Sequence, residues 1–265
     1  MTIIIHLFRS RVQCACLAFV LTLLASACSH DTVRSGAANW PGTQQLVLVT
    51  TSDWNATNGK LQRYVRNGSS WEQIGASTPV VIGRTGSAWG LGLHPTQSGG
   101  PIKKEGDGRA PAGVFRIGEA FGYANSVTTA LPYLPMQATN YCMDVPASPL
   151  YNRIVDARVV GEAAVQGSTE PMRLDIHNKG DQRYKSGFII EHNAQAVPGA
   201  GSCIFAHLWK TSANTTAGCT AMEEPAMRDL LAWLRADAYP VFVLLPQAEY
   251  QRVQARWNLP SDTGS

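Results

Sequence analysis

The stretch from Gly201 to Met222, GSCIFAHLWKTSANTTAGCTAM, decides how the rest of the chain is read. Ile204, Phe205 and Ala206 form an apolar run that ends at His207, a polar Ser/Thr/Asn/Gly loop follows, and apolar sequence resumes at Gly218-Cys219. This pattern predicts a strand, a loop and the start of a second strand. If the second strand returns beside the first, the His207 imidazole and the Cys219 thiol lie side by side. That pairing suits nucleophilic chemistry, because the thiolate attacks and a neighbouring imidazole takes its proton. Gly218 permits a tight backbone path on which main-chain N–H groups face a developing oxyanion.

At the other end of the chain, His6, Arg9 and Arg11 precede an apolar run from Val12 to Leu24, and Ala25-Ser26-Ala27-Cys28 follows. The run falls short of the ~20 residues a membrane-spanning helix needs. It reads as a signal peptide over residues 1–27, with cleavage before Cys28. Leu-Leu-Ala-Ser-Ala-Cys resembles a bacterial lipobox, so Cys28 is the expected site of lipid attachment and the membrane a partner through that anchor. Ser29 after it is similar to an outer-membrane sorting signal, which implies a periplasm-facing lipoprotein. Residues 28–43, rich in Gly, Ala and Ser, read as the tether, and residues 44–265 as one folded domain.

Without residues 1–27 the chain carries 20 basic against 19 acidic side chains. Such a balance gives no basic footprint for a phosphate backbone, so nucleic acid is excluded as a partner. Charged residues make up only 15% of the chain, and with 24 Gly and 15 Pro this points to many short strands and loops.

Gln45 to Thr50 is the first expected strand. Asn58-Gly59 and Asn67-Gly68 are hairpin turn signals around Lys60 to Arg66, so a meander is expected. Pro79 to Gly83 and Ala110 to Ile117 read as further strands, with a Gly/Lys-rich loop after His94 that ends at Arg109. Residues 131–160 are dominated by loop chemistry. Met172 to His177 alternates polar and apolar, which would place Arg173, Asp175 and His177 on one strand face. Gly187 to Asn193 reads as a buried strand with a polar end at His192. Beyond Cys219, Pro225 opens an amphipathic helix through Met227, Leu230, Leu231 and Leu234, Val241 to Leu245 returns as a strand, and Glu249 to Trp257 reads as a closing helix.

The step from a strand His through a loop to Gly-Cys resembles the catalytic segment of the YkuD-type L,D-transpeptidases. Their usual form is Ser-His-Gly-Cys with an Arg two residues later. Thr216, Gly218 and Cys219 match, while Ala217 stands where the second His is usual and Ala221 where the Arg is usual. Gly106 to Phe115, GDGRAPAGVF, is similar to the Thr-Pro-x-Gly-x-Phe stretch of the same domains. The likeness runs from about Gln45 to Pro246. It implies a mainly β fold, a β-rich YkuD-like sandwich with one or two C-terminal helices.

By this resemblance the protein attacks the carbonyl at the L-centre of the diamino acid in peptidoglycan stem tetrapeptides. It expels the terminal D-alanine and passes the acyl group to an amine or to water. Cys219 is the expected nucleophile and His207 the general base, with the Leu208 carbonyl orienting the imidazole and the N–H groups of Gly218 and Cys219 forming the oxyanion hole. No metal or organic cofactor is required. With no Arg at position 221, another cation must hold the substrate. Arg173 is the first expectation, with Arg109 and Arg153 next, and Asp175 and His192 nearby. Cys14 and Cys16 leave with the signal peptide and Cys28 is lipidated, so Cys142, Cys203 and Cys219 remain. With Cys219 the free thiol of the Gly-Cys loop, Cys142 and Cys203 are the expected disulfide. A zinc site drawn from His192, Cys203, His207 and Cys219 is disfavoured, since residues 203 and 207 would lie ~13 Å apart on an extended strand. A non-catalytic wall-binding lipoprotein that keeps the fold is the alternative function.

Overall fold

The computed structural model describes residues 40–261. The signal peptide, the tether up to residue 39 and Cys28 lie outside the described residues.

The first three strands, β1 (Gln45–Thr51), β2 (Asn58–Asn67) and β3 (Ser70–Val81), form an antiparallel meander. Gly68, at φ +58°, turns the second hairpin. Asn58-Gly59, by contrast, is the start of β2 and not a turn. A Cβ on Gly59 would come within 2.5 Å of the Thr50 carbonyl oxygen, so this glycine admits the neighbouring strand. Pro79 to Val81 is the end of β3, not a strand of its own.

Further along come β4 (Ser87–Trp89), β5 (Ala110–Gly122), β6 (Tyr133–Pro135), β7 (Asn140–Cys142) and β8 (Ile154–Asp156). A single-turn helix α1 (Ala157–Val160), β9 (Glu170–Pro171) and a second single turn, α2 (Leu174–His177), lead to β10 (Ser186–Ile190). The chain ends with β11 (Phe205–Leu208), β12 (Thr220–Met222), α3 (Glu224–Trp233), β13 (Val241–Pro246) and α4 (Gln247–Val253). The fold is β-rich, as the resemblance implied.

Hydrogen-bonded pairings run β10-β11-β12-β3-β2-β1-β13-β5 and return from β5 to β10. The long β5 makes this return possible: residues 113–116 pair with β13 and residues 117–122 with β10. The main core has Leu46, Val114, Phe115, Phe242, Val243 and Leu244 fully buried, and the three consecutive residues of β13 among them show both faces of that strand covered. α3 adds Met227, Leu230 and Leu231 from one face, which follows from their helical spacing.

Residues 131–177 do more than connect. β8, β7 and β9 make a small separate sheet, tied to the main body by a disulfide between Cys142 and Cys203. A second core of Phe121, Met172, Leu174, Tyr184 and Phe205 lies around that disulfide. The strand expected over residues 172–177 is instead the turn α2. Met172 and Leu174 are buried but Ile176 is 52% exposed, so the alternating apolar face ends at Leu174 and the chain turns there. The Arg173 carbonyl takes the N–H groups of Ile176 and His177 instead.

Candidate active site

β11 and β12 are neighbours, but they run parallel and do not form a hairpin. His207 stands opposite Ala221, and Ala206 opposite Thr220. The polar loop over residues 209–219 is the crossover that parallel pairing requires. It delivers Cys219 to the entry of β12, one residue before the ladder starts. His207 and Cys219 line one cavity of about 370 Å3.

Two main-chain groups fix the thiol. The Phe205 N–H donates to Cys219 Sγ at 3.4 Å, and the thiol reaches the Cys203 carbonyl at 3.5 Å. Cys203 is held in the left-handed region, φ +55°, by the disulfide and by its N–H donating to Asn152 Oδ1 at 2.9 Å. Thr216 organises the loop from the other side. Its hydroxyl donates to the Cys219 carbonyl at 2.6 Å and accepts the Gly218 N–H at 3.1 Å. That bond occupies one of the two N–H groups expected to form the oxyanion hole. Gly218, at φ +155°, passes so close to the Arg109 carbonyl that a Cβ would meet its oxygen at 3.0 Å.

The imidazole is oriented by its own strand. His207 Nδ1 lies 2.8 Å from the Leu208 carbonyl oxygen. A carbonyl only accepts, so Nδ1 carries the proton and Nε2 presents its lone pair. Nε2 makes no hydrogen bond among the described residues. The Tyr184 ring packs edge-on against the imidazole at 5.2 Å between centroids.

Burial sets both protonation states. Desolvation pulls His207 down to about 4 and pushes the Cys219 thiol up to about 12, with the Glu170 carboxylate adding to the rise. At neutral pH the resting pair is therefore a thiol and a neutral imidazole, not a preformed thiolate. Proton transfer belongs to the attack itself.

Other residues picked out by sequence lie elsewhere. The Arg173 guanidinium is committed to Asp175 at 2.8 and 2.7 Å and stacks over Tyr123, and neither partner of that pair lines the cavity. Arg109 donates to the carbonyls of Trp54 and Ser87 and to Asn55 Oδ1, so its charge serves the scaffold. Arg153 is also absent from the cavity wall. His192 is buried with both ring nitrogens engaged, by the Leu91 N–H at 3.2 Å and the Ala200 carbonyl at 2.9 Å. Cys203, in a disulfide, has no thiolate to offer a metal. Among the described residues no three His, Cys, Asp or Glu side chains converge on a metal position.

The cavity wall contains residues the sequence reading missed, among them Arg84, Glu170, Arg183 and Tyr184. Arg183 is tied to Asp181, which also takes Lys210. Arg84 has no hydrogen bond or ion pair on its guanidinium among the described residues. Its backbone N–H donates to the Thr216 carbonyl at 2.8 Å, so it is anchored to the nucleophile loop. Position 221 could not host a cation in its place: Ala221 is buried between His207 on one side and Val81 on the other. A Gly83-Arg84 step 135 residues upstream of Cys219 carries no local signal for this contact, which exists only through the bridge between Gly83 and Thr216.

The chain matches the family model of the L,D-transpeptidase catalytic domain, YkuD, over residues 50–243. It belongs to that family, whose activity is exerted on the stem peptides of peptidoglycan. No curated protein and no solved structure matches the chain.

Proposed function

We propose that the protein is a cysteine-dependent acyltransferase of this family, working through a thioester on Cys219. The observation that carries this reading is the shared cavity, lined by a buried thiol and by an imidazole whose Nδ1 is fixed and whose Nε2 is open. On binding a stem tetrapeptide, His207 Nε2 takes the thiol proton as Cys219 Sγ bonds to the carbonyl carbon at the L-centre. The tetrahedral oxyanion is met by the Cys219 N–H, the partner Gly218 N–H being held by Thr216. Collapse breaks the amide bond, and the imidazolium returns its proton to the departing D-alanine amine. An amine or water then attacks the thioester, and the thiol is regenerated.

The substrate's carboxylate falls to Arg84 in this scheme, taking over from the arginine that Ala221 replaces. A guanidinium offers a carboxylate two parallel hydrogen bonds, which lysine cannot copy. A wall-binding protein without catalysis needs neither the buried thiol nor an oriented imidazole, and nothing in the cavity favours that alternative.

The same proposal places the enzyme outside the cytoplasm, anchored through a lipid on Cys28. Its support is the apolar run to Leu24 with Cys directly after Ala-Ser-Ala. A Cys28→Ala protein should leave the membrane fraction, and persistence there would locate the anchor elsewhere. Incubating the chain with purified stem tetrapeptide and following release of D-alanine tests the activity itself. Release by wild type and none by Cys219→Ala is the expected result; equal release by both would overturn the mechanism.

A further inference from the structure

Three carboxylates line the cavity that holds Cys219: Glu105, Asp144 and Glu170. They are not equivalent. Glu105 accepts the Gly106 N–H on Oε1, and both the Tyr151 hydroxyl and Ser202 Oγ (2.6 Å) on Oε2. Asp144 accepts the Thr169 N–H at 3.0 Å on one oxygen and the Thr169 hydroxyl on the other. Glu170 accepts only the Tyr184 hydroxyl, on Oε1, and its Oε2 takes no hydrogen bond among the described residues.

Tyr184 also joins Glu170 to the catalytic pair, because its ring is the one packed against the His207 imidazole. The cavity therefore holds two proton acceptors with an open valence, His207 Nε2 and Glu170 Oε2. Transfer to water requires only the first. Transfer to an amine requires a second, since an amine arrives as an ammonium ion and must lose one proton before it can attack and another after. Resting on the thioester reading above, we propose that Glu170 is the base that receives and deprotonates an ammonium-bearing acyl acceptor, making a primary amine the favoured acceptor over water.

The step balances. The acceptor R–NH3+ gives one proton to the Glu170 carboxylate, and the resulting amine bonds to the thioester carbon. The nitrogen's second proton passes to His207 Nε2, the C–S bond breaks, and the imidazolium protonates the departing thiolate. The products are an amide, the free thiol and one proton, which leaves Glu170 for solvent.

Groups facing the Glu170 carboxyl support this role. Asp144 and Glu105 oppose its ionisation, Arg183 and the Tyr184 hydroxyl favour it, and Cys219 feels its charge. The residue as a whole is half-buried, but its carboxyl is deep enough for desolvation to dominate and raise it to about 7, so it can both accept and release a proton near neutrality.

The test uses the full chain with stem tetrapeptide as donor and a second stem peptide bearing a side-chain amine as acceptor. Mass spectrometry measures the ratio of amide to hydrolysed product from pH 5 to 9. In wild type the ratio should rise with pH and level off above about 7, where Glu170 is ionised. In Glu170→Gln it should fall at least about tenfold at pH 7 and climb about tenfold per pH unit with no plateau, following the free amine. Glu170→Asp, which keeps a carboxylate, should restore a plateau. A wild-type ratio without a plateau overturns the proposal, and so does an unchanged ratio and profile in Glu170→Gln. If wild type forms no thioester at all, the cysteine reading and this proposal both fall; a normal thioester with a Glu170-independent ratio sinks the proposal alone.

Discussion

His192 and His207 are alike in burial, each 2% exposed, and desolvation lowers each to about 4. They follow and occupy adjacent antiparallel strands, β10 and β11. What separates them is valence. His192 spends both nitrogens on the main chain of residues 91 and 200, stitching two loops to the end of β10. His207, which lines the Cys219 cavity, spends one, on Leu208, and its other nitrogen makes no hydrogen bond among the described residues. Burial alone therefore does not separate the proposed base from a structural histidine in this molecule. What separates them is a fixed ring with one nitrogen unspent.

If that distinction is right, the two histidines fail differently when removed. His207→Ala should lower the rate of acyl-enzyme formation by about 10²–10⁴-fold, the usual worth of a positioned base, while lowering the thermal midpoint less than loss of His192 does, since it orphans one main-chain group and not two. Stopped-flow acylation beside a melting curve reads both numbers. A His207→Ala enzyme acylated at the wild-type rate would remove the contrast.

Acid should strip stability from both regions together. His94, His192 and His207 are each pulled from 6.5 to about 4 by burial, so the folded state binds fewer protons than the unfolded state between those values. Their contribution is complete above about pH 6.5 and is lost as pH falls toward 4, on the order of a few kcal/mol per imidazole. Denaturant titrations at pH 7, 5.5 and 4.5 should show midpoints falling in that order; a flat series would mean the imidazoles are not buried neutral.

His192→Ala should do the converse of His207→Ala. It orphans the Leu91 N–H and the Ala200 carbonyl, a cost of about 1–3 kcal/mol for each group, while acylation measured below the melting point stays within a few-fold of wild type. Loss of acylation without loss of stability would make His192 a site residue after all. The smallest effect is expected at Arg84. Arg84→Lys keeps the charge but loses the fork, and should raise the tetrapeptide concentration needed for half-maximal rate several-fold with little change in labelling by a small thiol reagent. Equal impairment of both would place Arg84 in the loop's architecture instead.

The legibility of this molecule in its sequence follows from how local each signal is. The strands of the meander, α3 and β13 are written in periodicity over a few residues each, while of the two turn signals only Asn67-Gly68 is a turn and Asn58-Gly59 opens β2. His207 and Cys219 are legible because the strand-loop-Gly-Cys segment carries both. The parallel sense of β11 and β12 is not, since an 11-residue polar loop serves equally for a return and a crossover. Arg84, Glu170 and Tyr184 reach the cavity from β3's far end, β9 and the approach to β10, and no spacing links them. Arg173 is illegible as a scaffold residue because alternation over six residues fits a strand face as well as it fits an Arg-x-Asp pair at the start of one helical turn.

The most direct test of the central claim is the mass of the protein caught in the act. Intact-mass spectrometry of the chain quenched in acid during turnover of stem tetrapeptide should show an adduct of the tetrapeptide less its terminal D-alanine. Peptide mapping should place that adduct on Cys219, and it should be absent in Cys219→Ala. An adduct on any other residue, or tetrapeptide turnover by Cys219→Ala, would contradict the account.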